Sequence, residues 1–121
     1  MISLNVLVVD DSLLMIRKLE AMLSEMGHKV VATAQTGDAA IEKYAKHNPD
    51  LVTLDITMPG MNGIDAAHEI VTRFKDARII MVTSNGLESM VFDALQVGAK
   101  GYILKPFEKQ KLEEQIARVI K

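Results

Sequence analysis

Short, β-branched apolar runs alternate along the chain with longer stretches in which apolar residues recur every three or four positions. The runs lie at 6–9, 30–34, 51–54, 79–82 and 102–104. They are nearly continuous in apolar residues rather than alternating, the pattern of strands covered on both faces. After the first run, Met15, Leu19, Met22, Leu23 and Met26 share one helical face, and Gly27 is placed to end it. A second helix is predicted over 39–47, with Ala40, Ile41, Tyr44 and Ala45 as its apolar stripe. Asn48-Pro49 ends it, because the residue before proline is pushed out of the helical region. Pro59-Gly60-Met61-Asn62-Gly63 reads as a loop. Further helices are predicted over 64–74, 87–97 and 108–120, with Gly98 breaking the chain before the last strand.

Five strand–helix units and right-handed crossovers predict an α/β, flavodoxin-like (βα)5 fold. Its five-stranded parallel sheet has the order 2-1-3-4-5, with helices on both faces. The chain has 121 residues, enough for one domain with a substantial core. No linker or low-complexity segment is visible, and the last helical pattern leaves no room in this chain for an output domain, so one domain over 1–121 is expected. Every apolar run breaks well short of a membrane span.

The ends of the strands carry the chemistry. The first gives way to Asp10-Asp11, the third to Asp55, the fourth to Thr83 and the fifth to Lys105; only the second ends without such a group. Ligands of open parallel sheets gather beyond the carboxyl ends of the strands. Three carboxylates, a hydroxyl and an ammonium are therefore expected in one crevice. Neighbouring carboxylates repel unless a cation or proton intervenes, and Mg²⁺ prefers such oxygen ligands. Asp55 would then be the nucleophile toward phosphorus, with Lys105 as a point charge and Thr83 as a hydroxyl donor to the same group. Each residue has a plainer reading when taken alone. Asp10-Asp11-Ser12 is also a helix cap, Asp55 a turn residue, Thr83-Ser84 a polar strand end and Lys105 a solvated lysine.

Bulk properties narrow the function. A formal net charge of -2 without a basic stripe argues against nucleic acid as a partner. The absence of cysteine excludes a disulfide or thiolate nucleophile and suits a reducing, cytoplasmic setting. His28, His47 and His68 show no metal-ligand spacing, and the eight methionines read as core; for Met90 packing is the default and a binding surface the alternative. Lys100, Lys109 and Lys111 are candidates for contacts with an acidic partner on the face of the fourth helix, last strand and fifth helix, although exposed helical charges are more often simply solvated.

The motifs Asp10-Asp11-Ser12, Asp55-Ile56-Thr57-Met58-Pro59 with Gly63, Thr83-Ser84 and Lys105-Pro106-Phe107 resemble, in this order, the receiver domain of bacterial response regulators. With Gly98-Ala99-Lys100-Gly101-Tyr102, the chain is most similar to the stand-alone chemotaxis members of that family. The resemblance implies that Asp55 accepts a phosphoryl group from a histidine kinase. It also implies that Asp10, Asp11, Asp55 and the main-chain carbonyl of Thr57 hold Mg²⁺, or Mn²⁺ in its place. Thr83 is then the switch hydroxyl, Lys105 the phosphate contact, Tyr102 the aromatic that follows Thr83, and Lys105-Pro106 a cis bond. It implies partners too: a phosphatase, and a target such as the flagellar motor switch, reached through the face of the fourth helix, fifth strand and fifth helix. Phosphotransfer and dephosphorylation would be self-catalysed, so the protein is a phosphoacceptor rather than an enzyme with a separate substrate. Ser84 departs from the Ala or Gly frequent at that position, while Thr57 and Asn85 occupy positions that tune water access.

Other classes fit less well. A metal-dependent phosphatase with an aspartate nucleophile would carry a second carboxylate two residues later, where Thr57 stands. A flavin or nucleotide carrier would want a Gly-rich loop after the first strand, where Asp10-Asp11 would repel the phosphate. A single-domain receiver in a phosphorelay outside chemotaxis is the nearest alternative.

Overall fold

A computed structural model describes residues 2–84 and 86–120. Strands β1 (Asn5–Val9), β2 (Lys29–Ala34), β3 (Leu51–Leu54), β4 (Ile79–Thr83) and β5 (Gly101–Leu104) form one parallel sheet of order β2-β1-β3-β4-β5. Helices α1 (Leu13–Glu25), α2 (Gly37–His47), α3 (Gly63–Arg73), α4 (Glu88–Gln96) and α5 (Lys109–Ile120) connect and follow them. The expected topology is present in full.

Two cores sit on opposite faces of the sheet because successive strand side chains point opposite ways. On one face, Val6, Val8, Leu51, Ile80, Val82 and Ile103 pack with Ile16, Leu19 and Leu23 of α1 and Leu112, Ile116 and Val119 of α5. On the other, Leu7, Val9, Val52, Leu54, Ile79 and Met81 meet α2, α3 and α4 through small residues such as Ala40, Ala66, Ala67 and Ala94. The central strands β1, β3 and β4 are buried almost throughout, as their continuous apolar runs require. Residues 30–33 of the edge strand β2 are only half-buried.

Local chemistry sets the helix ends. At the end of α1, Gly27 takes φ 90°, with the Gly27 N–H donating to Ser24 O and the His28 N–H to Leu23 O. At the end of α4, Gly98 takes φ 117°, and its N–H and that of Ala99 reach Leu95 O and Ala94 O in the same way. Both pairs satisfy carbonyls left open by the last turn. Helix α2 starts two residues earlier than the apolar stripe suggests, because the Thr36 side chain caps it through the Ala39 N–H. It ends through Asn48 in the left-handed region, and Ala45 is exposed rather than part of its buried stripe.

Several surface expectations change. Lys109 pairs with Glu25 of α1 at 3.1 Å, so it faces α1 instead of the side shared by α4 and β5. Met90, by contrast, keeps its default packing role, half-buried against the core beneath α2, α3 and α4. His28 accepts the Leu4 N–H through Nδ1, holding the start of β1. No helix among the described residues is long and apolar enough to cross a membrane.

Thr53, in the middle of β3, is fully buried between Val8 and Ile80, and its hydroxyl lacks a hydrogen-bond partner. A desolvated, unpaired hydroxyl costs stability that a methyl group does not. Thr53→Val is therefore expected to raise the unfolding free energy by about 1 kcal/mol. Urea denaturation checks this as a higher midpoint at unchanged slope.

Candidate functional site

The carboxyl ends of β1, β3, β4 and β5 bring the candidate residues together. Asp10, Asp11 and Asp55 each place a carboxylate oxygen within 4.8 Å of the others. Asp10 is fully buried, Asp55 is 5% exposed and Asp11 faces solvent. The Lys105 ammonium enters from β5, 2.7 Å from Asp10 Oδ2 and 3.6 Å from Asp55 Oδ2. From the end of β4, the buried Thr83 side chain hydrogen-bonds the Asp55 carboxylate, which also accepts the Ile56 N–H.

Capping and chemistry coexist at the first strand end. Ser12 is the cap of α1, its hydroxyl accepting from the Met15 N–H, while Asp10 Oδ1 accepts the Ser12 N–H at 2.9 Å. Asp10 is thus oriented by the start of the helix, and its other oxygen is left to Lys105. Gln35, which carries no signal in the sequence, donates from Nε2 to the Asp11 main-chain carbonyl at 3.3 Å. It lies 24 residues away and meets Asp11 only because β1 and β2 are neighbours.

Gly63 has a steric reason. Its N–H donates to Ile56 O at 2.7 Å, and a Cβ at this position would collide with the Asp55 main-chain carbonyl. The loop from Asp55 to α3 therefore folds back against the Asp55–Ile56 backbone. Thr57 is exposed on that loop, and Ser84 is exposed beside Thr83, whereas Asn85, Met1 and Lys121 fall outside the described residues. Tyr102 is half-buried on β5, and the Lys105-Pro106 bond is cis.

Burial is the largest influence on Asp55 and pushes its carboxyl above the usual carboxylate range. The Lys105 charge pulls it down, Asp10 pushes it up, and the bonds from Thr83 and Ile56 pull it down. The Tyr102 phenol is raised by burial first and then by the Asp55 charge, so it senses the same carboxylate. Oxygen-only donors, two of them buried, suit a hard dication, so the cluster fits Mg²⁺.

A response regulator receiver domain model matches residues 6–117. The chain belongs to the response regulator receiver family. It is 47% identical over 116 residues to chemotaxis protein CheY of Bacillus subtilis (strain 168), covering 96% of this chain and 97% of the relative. Protein CcdB of the same organism is 43% identical, with the same two coverages. A CheY in the CheX–CheY–BeF3–Mg²⁺ complex of Borrelia burgdorferi superposes with a TM-score of 0.94 at 40% identity, covering 97% of this chain and 89% of that one. The chain is thus a CheY-like receiver of two-component signalling.

Two outcomes are expected. Because native Asp55 holds its proton to higher pH than the unfolded value of 3.8, stability falls as pH rises through that window, and the penalty is complete above it. In EDTA at pH 7, Asp55→Asn should stabilise the protein, a gain that shrinks as the pH approaches 4 in urea titrations. Gly63→Ala should cost roughly 1–3 kcal/mol and shift the Ile56 and Asp55 amide resonances, since the added methyl displaces the Asp55–Ile56 backbone.

Proposed function

We propose that this protein is a phosphorylation-dependent switch in which Asp55 accepts a phosphoryl group from a histidine kinase. The observation that carries the reading is the convergence on one buried carboxylate of two further acids, an ammonium and a hydroxyl. An Asp55 oxygen attacks phosphorus and an acyl phosphate forms. The phosphorus–nitrogen bond of the donor breaks, its electron pair stays on the imidazole, and that nitrogen gains a proton.

Asp10, Asp11, Asp55 and the Thr57 main-chain carbonyl are the residues that would hold Mg²⁺, with Mn²⁺ as a substitute. Bound there, the ion offsets charge on the phosphoryl oxygens. Lys105 gives one of those oxygens a point-charge partner, and Thr83 donates a hydrogen bond to another. The modified and unmodified states then differ in what Thr83 and Lys105 contact, which is the differential interaction a switch requires. Tyr102 follows Thr83, and the face of α4, β5 and α5 changes with them. Phe92 and Leu95 are exposed on α4 and offer that face apolar contact area.

The relatives named chemotaxis protein CheY support a chemotaxis kinase as donor. The proposal completes this with the flagellar motor switch as target and a phosphatase ending the signal, all within the cytoplasm. No nucleic acid and no membrane insertion are involved. Because CcdB, a relative not named for chemotaxis, is 43% identical against 47% for CheY of the same organism, the second reading is a single-domain receiver outside chemotaxis, such as one in a phosphorelay. Binding of the phosphorylated protein to a flagellar switch peptide, as against a phosphotransfer domain, separates the two.

Incubation with Mg²⁺ and acetyl phosphate is expected to add a single labile phosphoryl mass. The gain should vanish in EDTA and in Asp55→Asn. Wild-type protein that gains no mass from acetyl phosphate or from a phosphorylated kinase would sink the proposal.

A further inference from the structure

Strand β2 ends without a reacting group, yet the turn from β2 into α2 touches both loops that carry the acidic cluster. The Ala34 carbonyl accepts the Asp10 N–H at 3.0 Å. One residue on, the exposed Gln35 side chain donates from Nε2 to the Asp11 carbonyl at 3.3 Å. Thr36 caps α2 through the Ala39 N–H, which fixes the direction of the turn. At the first position of α2, Gly37 is buried against the loop that follows Asp55. A Cβ added there would lie 3.0 Å from Cβ, Cγ and the main-chain carbonyl oxygen of Met61. Met61 and Thr57 share that loop, whose neck is closed by the Gly63 N–H on Ile56 O. The contact with Gly37 therefore sets how far residues 57–62 stand from the end of β1.

We propose that Gln35 and Gly37 are positioning residues, a brace between the β1–α1 and β3–α3 loops that sets the spacing of the oxygens offered to a divalent cation and so favours a small ion over a larger one. The inference rests on the phosphoswitch reading and adds to it two residues that hold the ligand-bearing loops from behind. Gly37 does not have a left-handed φ, and alanine is a better helix former than glycine, so neither backbone nor helix calls for glycine there. The close approach of Met61 does. Because a main-chain oxygen is among the crowded atoms, rotation of the Met61 side chain alone cannot make room for a methyl group, and the loop must move. Mg²⁺ requires near-octahedral oxygens at about 2.0–2.1 Å, whereas Ca²⁺ accepts irregular ones at about 2.3–2.6 Å. A displaced loop therefore costs Mg²⁺ more than Ca²⁺.

The test is calorimetric titration of the metal-free protein with Mg²⁺ and with Ca²⁺, beside thermal midpoints and amide resonances recorded in EDTA. Gly37→Ala should weaken Mg²⁺ binding about tenfold and Ca²⁺ binding much less, and should move the Thr57 resonance before any metal is added. Gln35→Met keeps the length of the side chain and removes the donor. It should weaken Mg²⁺ binding about fivefold, again more than Ca²⁺ binding, and move the resonance of Ser12, whose peptide group includes the Asp11 carbonyl. Its thermal midpoint in EDTA should stay nearly unchanged, because Gln35 is exposed. Both variants binding the two ions as the wild type does, or losing affinity for both by the same factor, would overturn the brace while leaving the metal site intact. A wild-type protein that binds neither ion would instead overturn the phosphoswitch reading, and the brace with it.

Discussion

Three carboxylates held at the ends of two adjacent strands repel one another, and the Lys105 ammonium makes their assembly tolerable. It approaches Asp10 at 2.7 Å and Asp55 at 3.6 Å, in a place where little water is available to screen the charges. The rest of the fold serves that juxtaposition. Strand β1 lies between β2 and β3, which brings Asp10 beside Asp55, while β4 intervenes between β3 and β5, so Lys105 must reach across the strand end that carries Thr83. The strain left over appears as an Asp55 carboxyl raised by burial even with an ammonium nearby.

Rigidity around the site is unevenly distributed. The β1 end is fixed by a helix cap, with Ser12 holding α1 and Asp10 holding the Ser12 N–H. The β3 end is fixed sterically, because Gly63 admits a backbone-on-backbone contact that no other residue allows. On the β4 side, α4 begins without a side-chain cap and Leu87, Phe92 and Leu95 are exposed. Elements with few buried contacts are the ones whose position a small change in binding energy can shift. The acidic cluster thus sits on the side fixed by a cap and a steric contact, and the helix with the most exposed apolar side chains lies on the other.

Much of this was legible in the sequence. Apolar runs of strand length at βα spacing predicted five strands and five helices, and the position of Asp10, Asp11, Asp55, Thr83 and Lys105 at strand ends predicted the pocket. Helix boundaries differed by one or two residues where a cap outweighed the apolar stripe, as at Thr36 before α2. Ala45 and Lys109 were misplaced because periodicity gives a face only to within a wide arc, and a long lysine goes to whichever partner lies in reach; for Lys109 that was Glu25 on α1.

The sequence by itself determined the order of elements and the residue types at their ends, since hydrophobic period and strand-end position are local properties of the chain. Tertiary structure alone decided which groups touch. The pairing of Lys105 with Asp10 and the support of Asp11 by Gln35 each join residues at the ends of different strands, and the burial of Thr53 between two neighbouring strands leaves its hydroxyl unpaired. Their distances depend on strand register, sheet order and helix seating, and these are set by the packing of the two cores as a whole.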